Sequence, residues 1–147
     1  MTDDDRTQAI FGSLDGLTST VAVVIASLLT GTQKSLIGTG FSIAIAASVG
    51  MAWSEWDSDK NGSIRRAVVM GVATLITSAL PVIPFVFLWK TSGVIVSAIV
   101  CVVLLGVIAE LRASLTPASR TRAILVTVGG TLIVSVLVTI LNLIVAA

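Results

Sequence analysis

Five long apolar stretches, separated by short polar connectors, constrain this chain more than any other feature of its sequence. A helix needs roughly 20 predominantly apolar residues to cross a bilayer. Hydrophobic residues make up 55% of the 147 residues and charged residues only 12%, whereas a soluble domain carries about 25% charged residues. The sequence therefore predicts an all-α integral membrane protein, a single domain over residues 1–147 surrounded by a lipid bilayer. Its five transmembrane helices are predicted at about 9–30, 37–56, 67–89, 94–111 and 123–145.

The basic residues predict how these helices are oriented. Seven of the nine Lys and Arg residues fall on one side of a five-helix threading, and only Lys34 and Lys90 fall on the other. Positive charge favours the cytoplasmic side, so we expect a cytoplasmic N-terminus and a C-terminus outside. The acidic N-terminus lacks the basic start of a signal peptide, so we expect no cleavage there. The seven residues are Arg6, Lys60, Arg65, Arg66, Arg112, Arg120 and Arg122.

Composition also excludes several classes of function. The chain has no His, which excludes His-ligated haem and Ser-His-Asp catalysis, and we find no other nucleophile–base pair. We therefore expect no enzymatic activity and no resident cofactor. The net charge of +1 gives no basic surface for nucleic acid. The single Cys101 lies in an apolar run and is predicted to be a packing residue.

Asp15 lies inside the first apolar stretch, in the segment FGSLDGLTST. A charged side chain at the centre of a bilayer costs at least about 2.5–3.5 kcal/mol, so it usually faces a polar cavity and serves transport. Gly12 and Gly16 beside it leave room for a partner helix or for water. The alternative is that Asp15 caps a helix that begins at Gly16.

Met51 and Glu55 are four residues apart near the end of the second stretch, so they share one face of a helix. A thioether is a soft ligand and a carboxylate a hard one, and the pair suits a divalent transition ion better than Na⁺ or Ca²⁺. The alternative is that Met51 packs and Glu55 is solvated. We predict that Asp15, Met51 and Glu55 form the core of a metal-ion site.

Stripes of small and hydroxyl residues follow one face of four helices. Such stripes are typical of close helix packing in membranes, although two of them also carry a carboxylate, which favours a hydrophilic path. The third helix contains Pro81 and Pro84, which predict a kink or a break. The stripes comprise Gly12, Asp15, Ser19, Ala22 and Ala26; Ala44, Ala47, Ser48, Met51 and Glu55; Gly71, Thr74, Ser78 and Pro81; and Thr127, Thr131, Ser135, Thr139 and Asn142.

Three segments of the chain resemble motifs of the vacuolar iron transporter family. SLDGLTST resembles the NDGL-type opening of that family's first helix, with Leu14 in place of the Asn. MAWSEW, residues 51–56, is similar to its SMAxGEY segment, with Ser54 where Gly is usual. SALPVIPF, residues 78–85, resembles its GAxxPLxPF segment.

The resemblance implies a proton-coupled exporter of Fe²⁺ or Mn²⁺ that moves metal out of the cytosol. It also implies a homodimer whose first helices line the path at the two-fold axis, with Asp15, Met51 and Glu55 as pathway residues. Many members carry a glutamate-rich metal-binding domain between the second and third helices, where this chain has only DSDKNGSIRR. The shorter members that lack this domain are therefore the relevant comparison.

A two-fold homodimer is also expected on physical grounds, because a single Asp per chain cannot hold a divalent ion whereas two copies could. Two adjacent carboxylates would also share a proton, which couples metal to proton movement. A non-transporting membrane subunit of a larger complex, and a proton or small-cation channel, are the alternatives. We expect the plasma membrane if the source is bacterial, and an organelle membrane otherwise.

Overall fold

Helices fill almost all of the structure, a computed structural model that describes residues 3–58, 63–115 and 120–146. Lys60 lies outside these residues. The helices are α1 (Asp3–Thr30), α2 (Gln33–Ser58), α3 (Ile64–Ala79), α4 (Pro84–Phe87), α5 (Thr91–Leu115) and α6 (Arg120–Ala146).

Five segments are long and apolar enough to cross a membrane, with α3 and the short α4 together forming the third. The prediction of an all-helical, multi-pass membrane protein is confirmed at this level of length and composition. The helices extend beyond the apolar stretches, because polar residues at their ends continue the backbone hydrogen bonding. Three acidic residues, Asp3, Asp4 and Asp5, occupy the first turn of α1, where carboxylates interact favourably with the positive end of the helix dipole.

The break predicted at Pro81 and Pro84 is confirmed between α3 and α4. Proline has no amide hydrogen and clashes with the preceding turn; α3 ends at Ala79, and Pro84 opens α4. Carbonyls at the break accept hydrogen bonds from side chains of neighbouring helices. Ser97 Oγ on α5 donates to the Pro81 carbonyl at 2.8 Å, and Gln33 Nε2 on α2 donates to the Phe85 carbonyl at 2.7 Å. The break is therefore held in place by α2 and α5.

The first helix is the centre of the bundle, since α1 packs against α2, α3, α5 and α6. Its closest neighbour is α3, which approaches the backbone of Gly12 and Gly16. A Cβ added at Gly16 would lie 2.5 Å from both the Thr74 carbonyl oxygen and Thr77 Oγ1. Four residues further along α1, Thr20 Oγ1 donates to the Ser78 carbonyl at 3.0 Å. Small residues thus set the α1–α3 distance, as they do in other membrane helix pairs.

Two apolar clusters hold α2, α4 and α5 to α1. One joins Val24 of α1 to Leu36 of α2 and to Phe85 of α4. The other joins Leu17 of α1 to Ile108 of α5, and the partly buried Cys101 packs against it. The prediction that Cys101 is a packing residue agrees with this position.

Ion pairs tie three helix ends together at one end of the bundle: the start of α1, the end of α2 and the start of α3. Arg65 Nη2 lies 2.9 Å from Asp5 Oδ2, and the Asp5 side chain is only 2% exposed. Arg66 lies between two acids, 3.8 Å from Asp4 and 3.9 Å from Glu55. Arg65 and Arg66 therefore share one end with the N-terminus, as the five-helix threading requires. That this end faces the cytoplasm stays a prediction.

Candidate functional site

A cavity of about 410 Å³ lies between α1, α2, α5 and α6, and Asp15 is one of its lining residues. Phe11, which is 64% exposed, lines the same space. The helices α2 and α6 each pack along α1 and have no extensive contact with one another in the described part of the chain. The face of α1 that carries Asp15 is therefore covered less than the face that packs against α3. The lining residues are Phe11, Leu14, Asp15, Thr18, Met51, Arg112, Val126, Thr127, Gly130, Thr131 and Val134.

Asp15 sits in the interior of α1, which begins at Asp3. The alternative that Asp15 caps a helix beginning at Gly16 is therefore wrong. Polar residues form the first turns of α1, and the apolar pattern of the sequence does not indicate these turns. The hydroxyl of Thr18 donates back to the carbonyls of Leu14 and Asp15, at 2.9 and 3.1 Å. The local hydrogen bonding thus involves the Asp15 backbone and leaves its half-buried carboxylate at the cavity.

Met51 lines the same cavity as Asp15, whereas Glu55, one turn further along α2, is not among the lining residues. Glu55 instead pairs with Arg66 of α3, and its side chain is 12% exposed. The alternative that Glu55 is simply solvated is therefore wrong. The structure brings Asp15 and Met51 together and directs Glu55 into the ion-pair network at the end of the bundle.

Arg112 and the hydroxyls of α6 are cavity residues that the sequence did not single out as site residues. In the sequence, Arg112 near the end of α5 indicates only the orientation of the helices. Thr127 and Thr131 belong to the α6 stripe, which also fits simple packing. Thr131 Oγ1 donates to the Thr127 carbonyl at 3.1 Å, while Thr127 Oγ1 is buried and has no hydrogen-bond partner among the described residues.

The small-residue stripe of α3 serves close packing rather than a path. Thr74 and Ser78 lie against Gly12 and Gly16 of α1. On the other side of α3, the hydroxyl of Ser48 on α2 donates to the Gly71 carbonyl at 2.9 Å. Of the stripes seen in the sequence, those of α1, α2 and α6 contribute residues to the Asp15 cavity. The side chain of Asn142 lies outside the part of the structure that is described.

The chemistry of the cavity follows from its donors. One carboxylate, one thioether and several hydroxyl oxygens could contact a cation, while the Arg112 guanidinium brings a positive charge to the same space. No group of three or more His, Cys, Asp or Glu residues converges in the described part of the chain. One copy of the chain therefore offers an incomplete set of anionic ligands for a divalent ion.

Comparison with known proteins identifies no relative of this chain. The resemblance to the vacuolar iron transporter family consequently rests on the three sequence segments alone. No protein-family model matches the chain, and neither a curated protein nor a solved structure matches it.

Proposed function

We propose that this chain is a proton-coupled transporter of a divalent metal ion, Fe²⁺ or Mn²⁺, that moves the ion out of the cytosol. The observation that carries the proposal is the position of Asp15, a carboxylate inside a membrane-spanning helix that lines a cavity of about 410 Å³. Ionisable groups at such a position are costly and typically serve the movement of ions or protons. Met51 in the same cavity adds a soft ligand that favours a transition ion.

A second copy of the chain completes the site in this proposal. Asp15 and Arg112 formally balance each other within one cavity, so a divalent ion requires further anionic ligands. The Asp15 face of α1 lies between α2 and α6, which do not pack extensively against each other. A two-fold homodimer that pairs these faces would bring two Asp15 carboxylates to one axis. Two carboxylates could hold either a metal ion or shared protons, and this competition supplies the coupling.

Glu55 provides access to the cavity from the cytoplasmic end. It lies four residues from Met51, or about 6 Å along the helix axis. In the structure Glu55 is paired with Arg66 at 3.9 Å. A divalent ion that arrives from this end competes with Arg66 for the Glu55 carboxylate and then passes to Met51 and Asp15.

In the alternative of a non-transporting membrane subunit, the small-residue stripes would be the surfaces that pack against a partner protein. The α3 stripe and the glycine face of α1 are occupied inside the chain, because Gly12 and Gly16 pack against Thr74 and Ser78. These surfaces are therefore not open to another protein. A proton or small-cation channel would use the same Asp15, and only coupling between the metal and proton flows separates it from a transporter.

The test is Mn²⁺ uptake into proteoliposomes that contain a pH-sensitive dye. Wild-type protein is expected to move protons only when Mn²⁺ is present, and Asp15→Asn is expected to abolish both flows while eluting as the same species on size exclusion. Asp57→Asn is the matched control, because Asp57 is an exposed carboxylate at the end of α2. Flux that persists unchanged in Asp15→Asn would refute the proposal.

A further inference from the structure

A second cavity, of about 270 Å³, lies next to the Asp15 cavity and shares part of its wall. Three residues line both spaces: Phe11, Leu14 and Arg112. The second cavity is also lined by Thr7, near the start of α1, and by Leu115, the last residue of α5. It therefore lies between the Asp15 cavity and the end of the bundle that carries the N-terminus.

Together the two cavities form a passage between α1 and α5, which we call the α1–α5 passage. Its lining residues on α1 run from the exposed Thr7 to Thr18, a distance of about 16 Å along the helix axis. Glu55, by contrast, lies on α2 and lines neither cavity. The Glu55 side and the α1–α5 passage are thus two different approaches to Asp15 from the same end of the bundle.

Arg112 lies where the two cavities meet, and it is the only charged residue among the described residues that line the second cavity. An arginine keeps its positive charge throughout the physiological pH range. Coulomb repulsion scales with the product of the charges, so Arg112 repels a divalent ion twice as strongly as a monovalent one. Partly buried charges are also screened little by salt, and basic side chains exclude cations from other membrane pores.

We infer that Arg112 is a specificity-determining residue that excludes divalent cations from the α1–α5 passage, so that the metal ion reaches Asp15 only by way of Glu55. This inference rests on the proposed function and assigns the ion to one of the two approaches. The approach along α2 offers the ion a carboxylate, whereas the α1–α5 passage meets it with a guanidinium before it reaches Asp15.

The test is the KM for Mn²⁺ in proteoliposomes, measured for variants of Glu55 and Arg112 singly and together. Glu55→Gln should raise KM about tenfold, the lower end of the effect of charge in a cleft, because the ion loses its approach along α2. Adding Arg112→Gln should return KM to within about threefold of wild type, because Mn²⁺ then enters through the α1–α5 passage. If Arg112 only supported the fold, the double variant would lose transport further.

Further double variants isolate the charge of Arg112. Arg112→Lys keeps the positive charge, so it should leave the KM of the Glu55→Gln protein raised. Arg122→Gln should also leave it raised, because this exposed arginine near the start of α6 lines neither cavity. If Arg112→Gln fails to fold, Arg112→Met provides the same test, since it keeps a long unbranched side chain without the charge.

Three results would count against the inference. A KM that stays raised in the Glu55→Gln/Arg112→Gln protein, with uptake still dependent on Asp15, would overturn it and leave the proposed function standing. A wild-type KM in Glu55→Gln alone would also overturn it, since the ion then reaches Asp15 without Glu55. Wild-type protein that moves no Mn²⁺ would overturn both the inference and the proposed function.

Discussion

At the scale of single residues, Asp5 and Arg65 form a close ion pair, and the two side chains differ greatly in exposure. Their atoms lie 2.9 Å apart, yet the Asp5 side chain is 2% exposed and that of Arg65 is 66% exposed. The carboxylate has therefore lost its hydration, whereas the guanidinium keeps most of its own. Removing one partner consequently has a different effect from removing the other.

Arg65→Ala should lower the free energy of unfolding more than Asp5→Asn does. The first removes the Arg65 guanidinium from a buried carboxylate, at a cost of about 1.5–3 kcal/mol. The second leaves an exposed guanidinium that solvent or lipid headgroups satisfy, and exposed ion pairs contribute at most about 1 kcal/mol. Thermal unfolding of both variants in one detergent measures the difference. Equal losses would show that the pair acts as an ordinary surface contact.

At the scale of the helices, the contact between α1 and α3 depends on the absence of a side chain at Gly16. A Cβ at this position would meet the Thr74 carbonyl oxygen and Thr77 Oγ1 at 2.5 Å, and Ser78 Oγ at 2.7 Å. The carbonyl belongs to the helix backbone and cannot move aside without displacing α3. Gly50 on α2, by contrast, has no atom within 4 Å of its added Cβ.

Gly16→Ala should therefore destabilise the protein by about 1–3 kcal/mol, the usual cost of overpacking a tight contact. Gly50→Ala is the control, and it should stabilise the protein by about 0.5–1 kcal/mol because Ala is the better helix former. Thermal unfolding in detergent measures whether each variant stabilises or destabilises the protein. If both variants shift the melting temperature in the same direction, α1 and α3 do not pack as described.

Much of this helical architecture could be predicted from the sequence, because it depends on local properties. The length of the apolar stretches predicted the five spans. Pro81 and Pro84 predicted the break, because the missing amide hydrogen of a proline disrupts the helix within one turn. Helix ends were predicted less well, because polar residues such as those at 3–8 continue a helix without an apolar signal. Which helix occupies the centre was not predictable, because it depends on which faces of six helices meet.

At the scale of the whole molecule, the candidate site assembles residues from four helices that are distant in sequence. Asp15 and Met51 could be identified in advance because a carboxylate and a thioether have distinctive chemistry. Arg112 and Thr127 could not, since an arginine at a helix end fits an orientation signal and a threonine in a stripe fits packing. Glu55 shares a helical face with Met51, but its partner Arg66 comes from the next helix. No spacing rule within α2 reveals that contact.

The coupling of metal to proton movement is the central property of the proposed transporter. The measurement that tests it most directly is Mn²⁺ accumulation in proteoliposomes that are acidic inside. As protons leave, wild-type protein is expected to concentrate Mn²⁺ above its external level, and Asp15→Asn should fail to do so. Mn²⁺ that only equilibrates across the membrane, whatever the pH difference, would contradict the account and identify an uncoupled channel.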